Sequence, residues 1–280
     1  MPFEISGASA DDVMLMAQWA TEEGWNVGHT DPLAFFAADP GGYLMGRIDG
    51  EPLVSISVVK QGAGFGFLGF YIARPKARGK GFGIKIWNAG MDLLKGRNIA
   101  LDGVVAQQAN YKKSGFKLAW NNSRFEGPAG NAAPPAGVSL VDARAVPFDK
   151  LAAYDRRFVV ADRDPFLALW IGLPQRASLV ALKGSEIVGF AVMRSCPASF
   201  KMGPLHAESP EIAASLIAAL AEKMSPSAVV IDVPDFNKAA LALVEKMGWL
   251  QVSSSARMYT GEVPALDRAG MYGITSLELG

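Results

Sequence analysis

Hydrophobic and polar positions in the first half of the chain follow two patterns, and each predicts a different element. Residues 11–23 are typical of a helix, with Ser9 or Asp11 near its N-cap. Residues 42–59, GYLMGRIDGEPLVSISVV, contain two β-rich runs joined by Asp49-Gly50, which is a strong hairpin signal. A helix followed by a hairpin is therefore expected.

The remaining patterns of this half predict alternating strands and helices. Residues 65–73 form another apolar run. An amphipathic helix should come after it, because four apolar residues recur there at helical spacing, namely Ile84, Trp87, Met91 and Leu94. Residues 98–105 resemble a short buried strand, residues 107–116 a short helix with a glycine stop, and residues 120–127 a last strand.

A segment made almost entirely of Gly, Pro, Ala and Asn interrupts these patterns at residues 126–137, EGPAGNAAPPAG. Nothing in it supports a helix or a strand, so it is predicted to be a linker. We therefore expect one domain over residues 1–127, a linker over 128–137 and a second domain over 138–280.

The second half repeats the element order of the first. SLVALKGSEIVGFAVMRS matches the first hairpin and turns at Lys183-Gly184, while AVVIDVP matches NIALDGV and aligns Asp232 with Asp102. Two spacings agree as well: Gly50 to Gly69 and Gly184 to Gly203 are both 19 residues, and Gly115 to Arg124 and Gly248 to Arg257 are both nine. The same order with equal spacings predicts a duplicated fold.

Composition narrows the class of protein. Half of the 280 residues are apolar, so the chain can bury a core, and 27 basic residues balance 27 acidic ones. That balance gives no general attraction to nucleic acid or to an anionic membrane. No apolar run approaches the roughly 18 residues of a membrane span, no signal peptide is visible, and Cys196 stands alone. A cytoplasmic protein without a metal site is expected.

The basic, glycine-rich stretch ARPKARGKGFG, residues 73–83, stands between the apolar run and the amphipathic helix. Such a loop favours phosphate binding, because glycines let the backbone approach the anion and the helix amides point towards it. A nucleotide-cradling Walker A loop does not fit, since Arg74 occupies the position of its first glycine. A literal G-x-G-x-x-G at residues 64–69 leads into a strand rather than a helix, so it is not a dinucleotide fingerprint.

The stretch from Arg78 to Gly83 fits [QR]-x-x-G-x-[GA], and strand, RPKARGKGFG, helix, strand and NYKKSGF follow in order. This arrangement resembles the GNAT superfamily of N-acetyltransferases. The second half resembles, in FKMGPLHAES, VVIDVPDFN and the closing ARMYTGEVP and YGITSLELG, the YitH-like second domain of bacterial tandem GNAT proteins. The resemblance implies an α/β fold with a mixed sheet and two tandem GNAT-like domains.

The resemblance also implies a cofactor, acetyl-CoA, and residues that hold it. Loop amides would bind the pyrophosphate, at Arg78, Gly79, Lys80, Gly81, Phe82 and Gly83. The preceding strand would bond the pantetheine, at Phe70, Tyr71, Ile72 and Ala73. Asn110 resembles a polar position that contacts the cofactor, and Tyr111 a tyrosine that protonates the departing thiolate. A phenol with a reference pKa of about 10 holds a proton at neutral pH and can still donate it.

The base that deprotonates the acceptor amine is less well marked. The strand at residues 65–73 has no carboxylate, although relatives carry a Glu there. Asp102 and Glu23 are the preferred candidates for this role, ahead of Glu22 and Asp31, and each has a structural alternative.

The second half has lost the phosphate loop. Ile212, Ser215 and Ile217 align with Arg78, Gly81 and Gly83, and Val244 aligns with Tyr111. One active site per chain is therefore expected, with the second half closing the acceptor pocket or completing the sheet. Five residues are predicted to contact the acceptor: Glu23, Trp25, Asn26, Asp31 and Asp232.

The function expected from these features is acetyl-CoA-dependent N-acetyl transfer to a small amine, such as an amino acid or a polyamine, by direct transfer in a ternary complex. The alternative is a CoA-binding sensor that has lost its transfer activity. The protein would act as a monomer or a homodimer.

Overall fold

A computed structural model describes residues 2–280, with thirteen β-strands and eight α-helices in that range. The strands are β1 (Phe3–Gly7), β2 (Tyr43–Ile48), β3 (Glu51–Gln61), β4 (Phe65–Ala73), β5 (Asn98–Val104), β6 (Lys117–Gly127), β7 (Val138–Asp142), β8 (Arg176–Lys183), β9 (Glu186–Ser195), β10 (Phe200–Ala207), β11 (Val229–Pro234), β12 (Leu250–Tyr259) and β13 (Met271–Gly273). The α-helices are α1 (Ala10–Glu22), α2 (Asp31–Ala38), α3 (Phe82–Leu93), α4 (Gln108–Lys113), α5 (Phe148–Asp155), α6 (Asp164–Gly172), α7 (Pro210–Met224) and α8 (Lys238–Lys246).

The strands form one continuous mixed sheet in the order β1-β2-β3-β4-β5-β12-β6-β11-β10-β9-β8-β7, and β13 pairs with β10. The pairs β4–β5 and β10–β11 are parallel, and the others are antiparallel. β12 of the second half lies between β5 and β6 of the first, so the two halves exchange their last long strands. The predicted mixed α/β fold of two related halves is confirmed, and the second half completes the sheet of the first.

Local sequence signals account for the ends of the first elements. Ser9 caps α1: its hydroxyl accepts a hydrogen bond from the Asp12 amide, and the Asp12 carboxylate accepts one from the Ser9 amide. Asp49 and Gly50 turn the β2–β3 hairpin with φ values of 51° and 79°, a left-handed pair suited to Gly and Asp. The helix and hairpin expected in this region are confirmed.

One apolar core joins the two halves on one face of the sheet. The ring of Phe35 in α2 stacks on that of Trp170 in α6, with the ring centroids 5.8 Å apart. Phe35 and Trp170 are both fully buried, and α1, α2, α5 and α6 all contribute to this core. The opposite face is covered by α3 in the first half and by α7 and α8 in the second. The halves are therefore packed as one body.

A β-bulge interrupts β4 where it leaves its neighbour. Ser57 pairs with Gly69 and Ser55 with Ile72. Two residues of β4, Phe70 and Tyr71, therefore stand opposite a single residue of β3. The parallel pairing of β4 with β5 ends at Leu68 opposite Leu101. Beyond that point β4 and β5 no longer pair, and we call this break in the ladder the β4–β5 wedge.

The residues after β13 cross the sheet from the second half to the first, and we call residues 274–280 the crossing segment. The Ile274 amide donates to the Asp232 carbonyl at 3.0 Å. A Cβ on Gly203 would lie 2.5 Å from the Thr275 carbonyl oxygen. At the far end, the Gln61 side-chain amide donates to the Leu279 carbonyl at 2.9 Å. The segment therefore passes from the bulge region of β10 to that of β4.

Residues 128–137 connect β6 to β7 and carry no helix or strand. The domain boundaries drawn at this segment remain a prediction. Among residues 2–280, none of the helices combines the length and the apolar character that a membrane span requires.

Candidate active site

The loop before α3 presents a row of backbone amides. Gly79 and Gly81 have φ values of 73° and 78°, a region that favours glycine, and a Cβ on either would meet nothing within 4 Å. Within residues 2–280, the backbone amides from Gly79 to Gly83 donate no hydrogen bond to another backbone group. Together with the positive end of the α3 dipole, these amides form a cradle suited to a phosphate group.

Acidic side chains from the C-terminal end of α1, the residue after it and β3 neutralise three cations of this loop. Glu22 pairs with Arg74, Glu23 with Arg78, and Glu51 with Lys76. All three pairs are at least partly exposed, so each contributes little to stability. Glu23, predicted to be a base or an acceptor ligand, is therefore engaged with the phosphate loop.

Gly83 at the start of α3 allows Tyr71 to approach the loop. A Cβ on Gly83 would lie 2.9 Å from the Tyr71 hydroxyl oxygen. The Tyr71 ring packs edge-on against Trp87 of α3, with centroids 5.1 Å apart. The bulged strand is thus tied to the phosphate loop through one aromatic side chain.

Tyr111 in α4 lies on the same side of the sheet. Its ring stacks on Trp87 with centroids 5.7 Å apart, and Gly103 of β5 leaves room for it, since a Cβ there would lie 2.5 Å from the ring. Burial, with a smaller effect of Tyr71, raises the pKa of Tyr111 to about 12. The phenol therefore keeps its proton at neutral pH. Asn110 is exposed, and its side-chain amide donates to Gln107 at 2.8 Å.

Asp102 faces the interior on the other side of the sheet. Its carboxylate accepts two hydrogen bonds from Arg257 of β12, at 2.8 and 2.6 Å, and a third from Asn122 of β6 at 2.8 Å. Burial raises the pKa of the Asp102 carboxyl, and Arg257 opposes that shift. A carboxylate held by this bidentate pair is structural, so the geometry does not support Asp102 as the base.

Asp232 makes the matching pair in the second half. Arg124 of β6 donates to its carboxylate at 2.8 and 2.9 Å, and the Lys201 ammonium lies 3.9 Å away. Burial alone would raise the pKa of Asp232, but Arg124 and Lys201 hold it below the ordinary value. This pairing does not support Asp232 as an acceptor ligand.

The residues predicted near the acceptor from the first domain mostly join the two halves. Asp31 is fully buried and accepts from Arg194 at 2.8 Å, from Arg176 at 3.1 Å and from the Gly28 amide at 3.0 Å. Its geometry does not support contact with the acceptor.

Asn26 and Trp25 also lie at the junction. The Asn26 amide donates to Ser199 at 2.8 Å, and its oxygen accepts from the Ala198 backbone at 3.0 Å. Trp25 packs partly buried against the core shared by both halves. Both residues have structural contacts that account for them.

The second half carries no equivalent cradle. Ile212, Ser215 and Ile217 of α7 are buried, and the Ser209 hydroxyl accepts from the Ile212 amide at 3.4 Å. Val244 of α8, which aligns with Tyr111, is buried as well. The N-terminus of α7 is therefore capped by Ser209 and packed with side chains, so its amides are not open to a phosphate. The loss of the glycines predicted this difference.

One interior residue was not singled out by the sequence. Glu278 of the crossing segment is 2% exposed, and within residues 2–280 its Oε2 has no hydrogen-bond partner. Nothing in the local pattern SLELG distinguishes this acid, because its position depends on a chain crossing between two halves.

A bulged strand that stops pairing with its parallel neighbour thus lies beside an amide cradle at a helix start, as the sequence resemblance implied. The Acetyltransferase (GNAT) family model matches residues 11–116, and a further Acetyltransferase (GNAT) domain model matches residues 151–273. The chain is also 30% identical over 275 residues to the holothin acyltransferase of Pseudoalteromonas sp. (strain SANK 73390), covering 98% of this chain and 93% of that protein. The chain belongs to the GNAT family of acyltransferases.

Solved structures share the fold over the whole chain. An acetyltransferase candidate from Pyrococcus horikoshii matches with a TM-score of 0.82 at 20% identity, covering 99% of this chain and 96% of that one. A tandem GNAT protein from the clavulanic acid biosynthesis pathway matches with a TM-score of 0.67 at 14% identity, covering 94% of this chain and 100% of that one. The tandem GNAT architecture predicted from the repeat is confirmed, and members of this family generally use an acyl-CoA.

Proposed function

We propose that the chain transfers an acetyl group from acetyl-CoA to the amine of a small acceptor, directly within a ternary complex. The observation that carries this proposal is the combination, in the first half alone, of an unpaired amide cradle with the β4–β5 wedge. The second half has a capped helix start in its place, so we expect one acetyl-CoA per chain.

The loop amides of residues 78–83 would bind the pyrophosphate, and residues 70–73 at the edge of the wedge would bond the pantetheine. Arg78 is paired with Glu23, so the phosphates would have to compete with that carboxylate for the guanidinium. Lys80 is exposed and available to the phosphates. Exposed Asn110 would contact the cofactor from α4.

In the proposed reaction, the neutral amine attacks the thioester carbonyl and forms the nitrogen–carbon bond. An amide near Tyr71 at the bulge would donate to the developing oxyanion. The carbon–sulfur bond then breaks, and the Tyr111 phenol would donate its hydrogen to the thiolate. The cofactor supplies the activated acyl group, while the chain positions both reactants.

The acceptor class is proposed from the relative and from the site. The relative that matches 98% of this chain is named for holothin, so holothin belongs in an acceptor panel beside amino acids and polyamines. We also propose a cytoplasmic location and a monomer or homodimer; the buried, unpaired thiol of Cys196 is compatible with a reducing compartment.

Calorimetric titration with acetyl-CoA, followed by thiol release across the amine panel, tests the function. Binding without thiol release for any amine would favour the alternative, a CoA-binding sensor. The absence of heat with both acetyl-CoA and CoA would contradict both functions.

The phosphate cradle can be tested by Gly81→Ile. This change places a bulky, β-branched side chain at a position with left-handed backbone geometry. We expect acetyl-CoA affinity to fall at least about a hundredfold, because a branched side chain displaces the amides that meet the anion. Gly96→Ile is the matched control, since Gly96 has a φ of 81° and equally open surroundings but lies beyond α3. Equal losses in the two variants would show that strain alone is responsible.

A further inference from the structure

Five carboxylates are buried in the chain and near the junction of the two halves: Asp31, Asp102, Asp155, Asp232 and Glu278. The four aspartates each bind at least one arginine, at distances from 2.6 to 3.1 Å. Within residues 2–280, Glu278 forms no ion pair, and its Oε2 has no hydrogen-bond partner. A buried carboxylate without a partner is costly, so this one is expected to meet a cation that binds there.

The main chain of Glu278 lies directly against the bulged strand. A Cβ on Gly69 would collide with the Glu278 carbonyl oxygen and would lie 3.0 Å from the Ser57 hydroxyl oxygen. Gly69 is the last residue before the bulge at Phe70 and Tyr71. The main chain of Glu278 therefore lies next to the wedge where the thioester is proposed to lie.

The surroundings of Glu278 are charged and largely self-neutralising. The negative charge of Glu278 adds a small upward effect to the pKa values of Asp102, Arg124 and Arg194. Asp102 is paired with Arg257, Arg124 with Asp232, and Arg194 with Asp31. Ser57, with a buried hydroxyl that lacks a hydrogen-bond partner within residues 2–280, adds a neutral polar group. Glu278 is the carboxylate in this group that forms no ion pair within residues 2–280.

We propose that Glu278 is the general base that deprotonates the acceptor amine, supplied to the first half by the crossing segment of the second. This inference rests on the proposed acetyl transfer. It gives the second half a direct chemical role and replaces the carboxylate that β4 lacks. Only 2% of Glu278 is exposed, so this role requires a path for the acceptor to open at the crossing segment or beside it.

The step balances in protons and electrons. The acceptor ammonium gives one proton to the Glu278 carboxylate, and the freed nitrogen lone pair forms the bond to the thioester carbon. When the tetrahedral intermediate collapses, the carbon–sulfur electron pair leaves with sulfur. Tyr111 gives its phenol proton to sulfur, the second proton leaves nitrogen and restores the Tyr111 phenol through solvent, and Glu278 returns its own proton to solvent.

The test compares Glu278→Gln with Glu245→Gln, an exposed glutamate of α8 that serves as the control. With an alkylamine acceptor at pH 7, we expect kcat/KM of E278Q to fall by about 10² to 10⁴, the usual contribution of a general base. Acetyl-CoA affinity should stay at the wild-type level in both variants, and thermal stability should not fall, because E278Q removes an unpaired buried charge. E245Q should retain full turnover.

An acceptor series separates a base from a structural residue. Hydroxylamine-type and aromatic amines are already neutral at pH 7 and need no base, so E278Q should lose far less activity with them. Activity of E278Q with the alkylamine should also recover as the pH rises towards the amine's own pKa, whereas a packing defect would not be relieved. Equal losses for protonated and neutral amines would overturn the proposal.

Two outcomes distinguish this inference from the proposed function. A wild-type chain that transfers acetyl groups while E278Q keeps its turnover overturns the role of Glu278 alone. A wild-type chain that transfers to no amine overturns the proposed function, and the base with it. If E278Q does not fold, Glu278→Asp decides: unchanged acetyl-CoA affinity with reduced turnover supports the base, and undiminished turnover contradicts it.

Discussion

At the scale of single residues, the side chains expected to do chemistry divide into two groups. Tyr111 lies beside the bulged strand through its contact with Trp87 and keeps its proton at neutral pH. Asp102 and Asp232, in contrast, are held by arginines. Residue type and spacing identified all three side chains as candidates. The structural partner of each one then decided whether its polar group is available for catalysis.

Tyr111→Phe tests the phenol. Removing the hydroxyl keeps the stacking on Trp87, so acetyl-CoA affinity should change little, while kcat should fall by about 10 to 10³ because the thiolate loses its donor. Since the pKa of Tyr111 is about 12, wild-type activity should show no loss from its ionisation between pH 6 and 9. Steady-state kinetics and calorimetry measure both effects, and parallel losses of affinity and turnover would assign Tyr111 to packing.

At the scale of elements, the exchange of β6 and β12 places each half's aspartate opposite the other half's arginine. Arg257 pairs with Asp102, and Arg124 with Asp232. The sequence already contained the equal nine-residue spacings before these arginines, but the pairing across halves required the strand order. These two pairs tie the halves together at the centre of the sheet.

A double-mutant cycle on Asp102 and Arg257 measures the interaction energy of this ion pair. Either single change to Ala leaves a buried charge unpaired, so each should lower the free energy of unfolding by about 3 to 5 kcal/mol. The double variant should lose clearly less than the sum of the two. Asp142→Asn, which breaks an exposed pair with Arg144, serves as a control and should have a much smaller effect. Additive losses in urea denaturation would show that the pair carries no coupling.

At the scale of the whole molecule, the shared core and the exchanged strands make the two halves one cooperative unit. Phe35 of the first half packs on Phe166 and Trp170 of the second. The crossing segment then spans both halves. We therefore expect a single unfolding transition for the whole chain rather than one for each half.

Acid should weaken this unit through His206. Burial lowers the pKa of His206, which stacks on Phe158, to about 3, while the unfolded residue has an ordinary pKa near 6.5. Below pH 6.5 the unfolded chain takes up a proton that the folded chain refuses, so stability is present above that pH and is lost as the pH falls towards 3. The loss should reach roughly 2 kcal/mol at pH 5.

His206→Leu provides the comparison. It removes the titrating group from the core, so its unfolding free energy should change less between pH 7 and pH 5 than that of the wild type. Urea denaturation at the two pH values measures the difference. The same pH dependence in both proteins would assign the acid sensitivity to other groups.

The amino-acid sequence by itself determined α1, α3 and α4, the two hairpins, the duplicated order and the glycine-rich loop, because these depend on short spacings and on backbone preferences within a few residues. Helices α2, α5 and α6 were not predicted, although they contribute to the core that both halves share. Only the tertiary structure decided the exchange of β6 and β12, the arginine partners of the two aspartates and the position of Glu278. Asp102 and Arg257 are 155 residues apart, and Glu278 meets Gly69 across an even longer separation. Contacts over such distances leave no local pattern, since they depend on how two packed halves bring remote segments together.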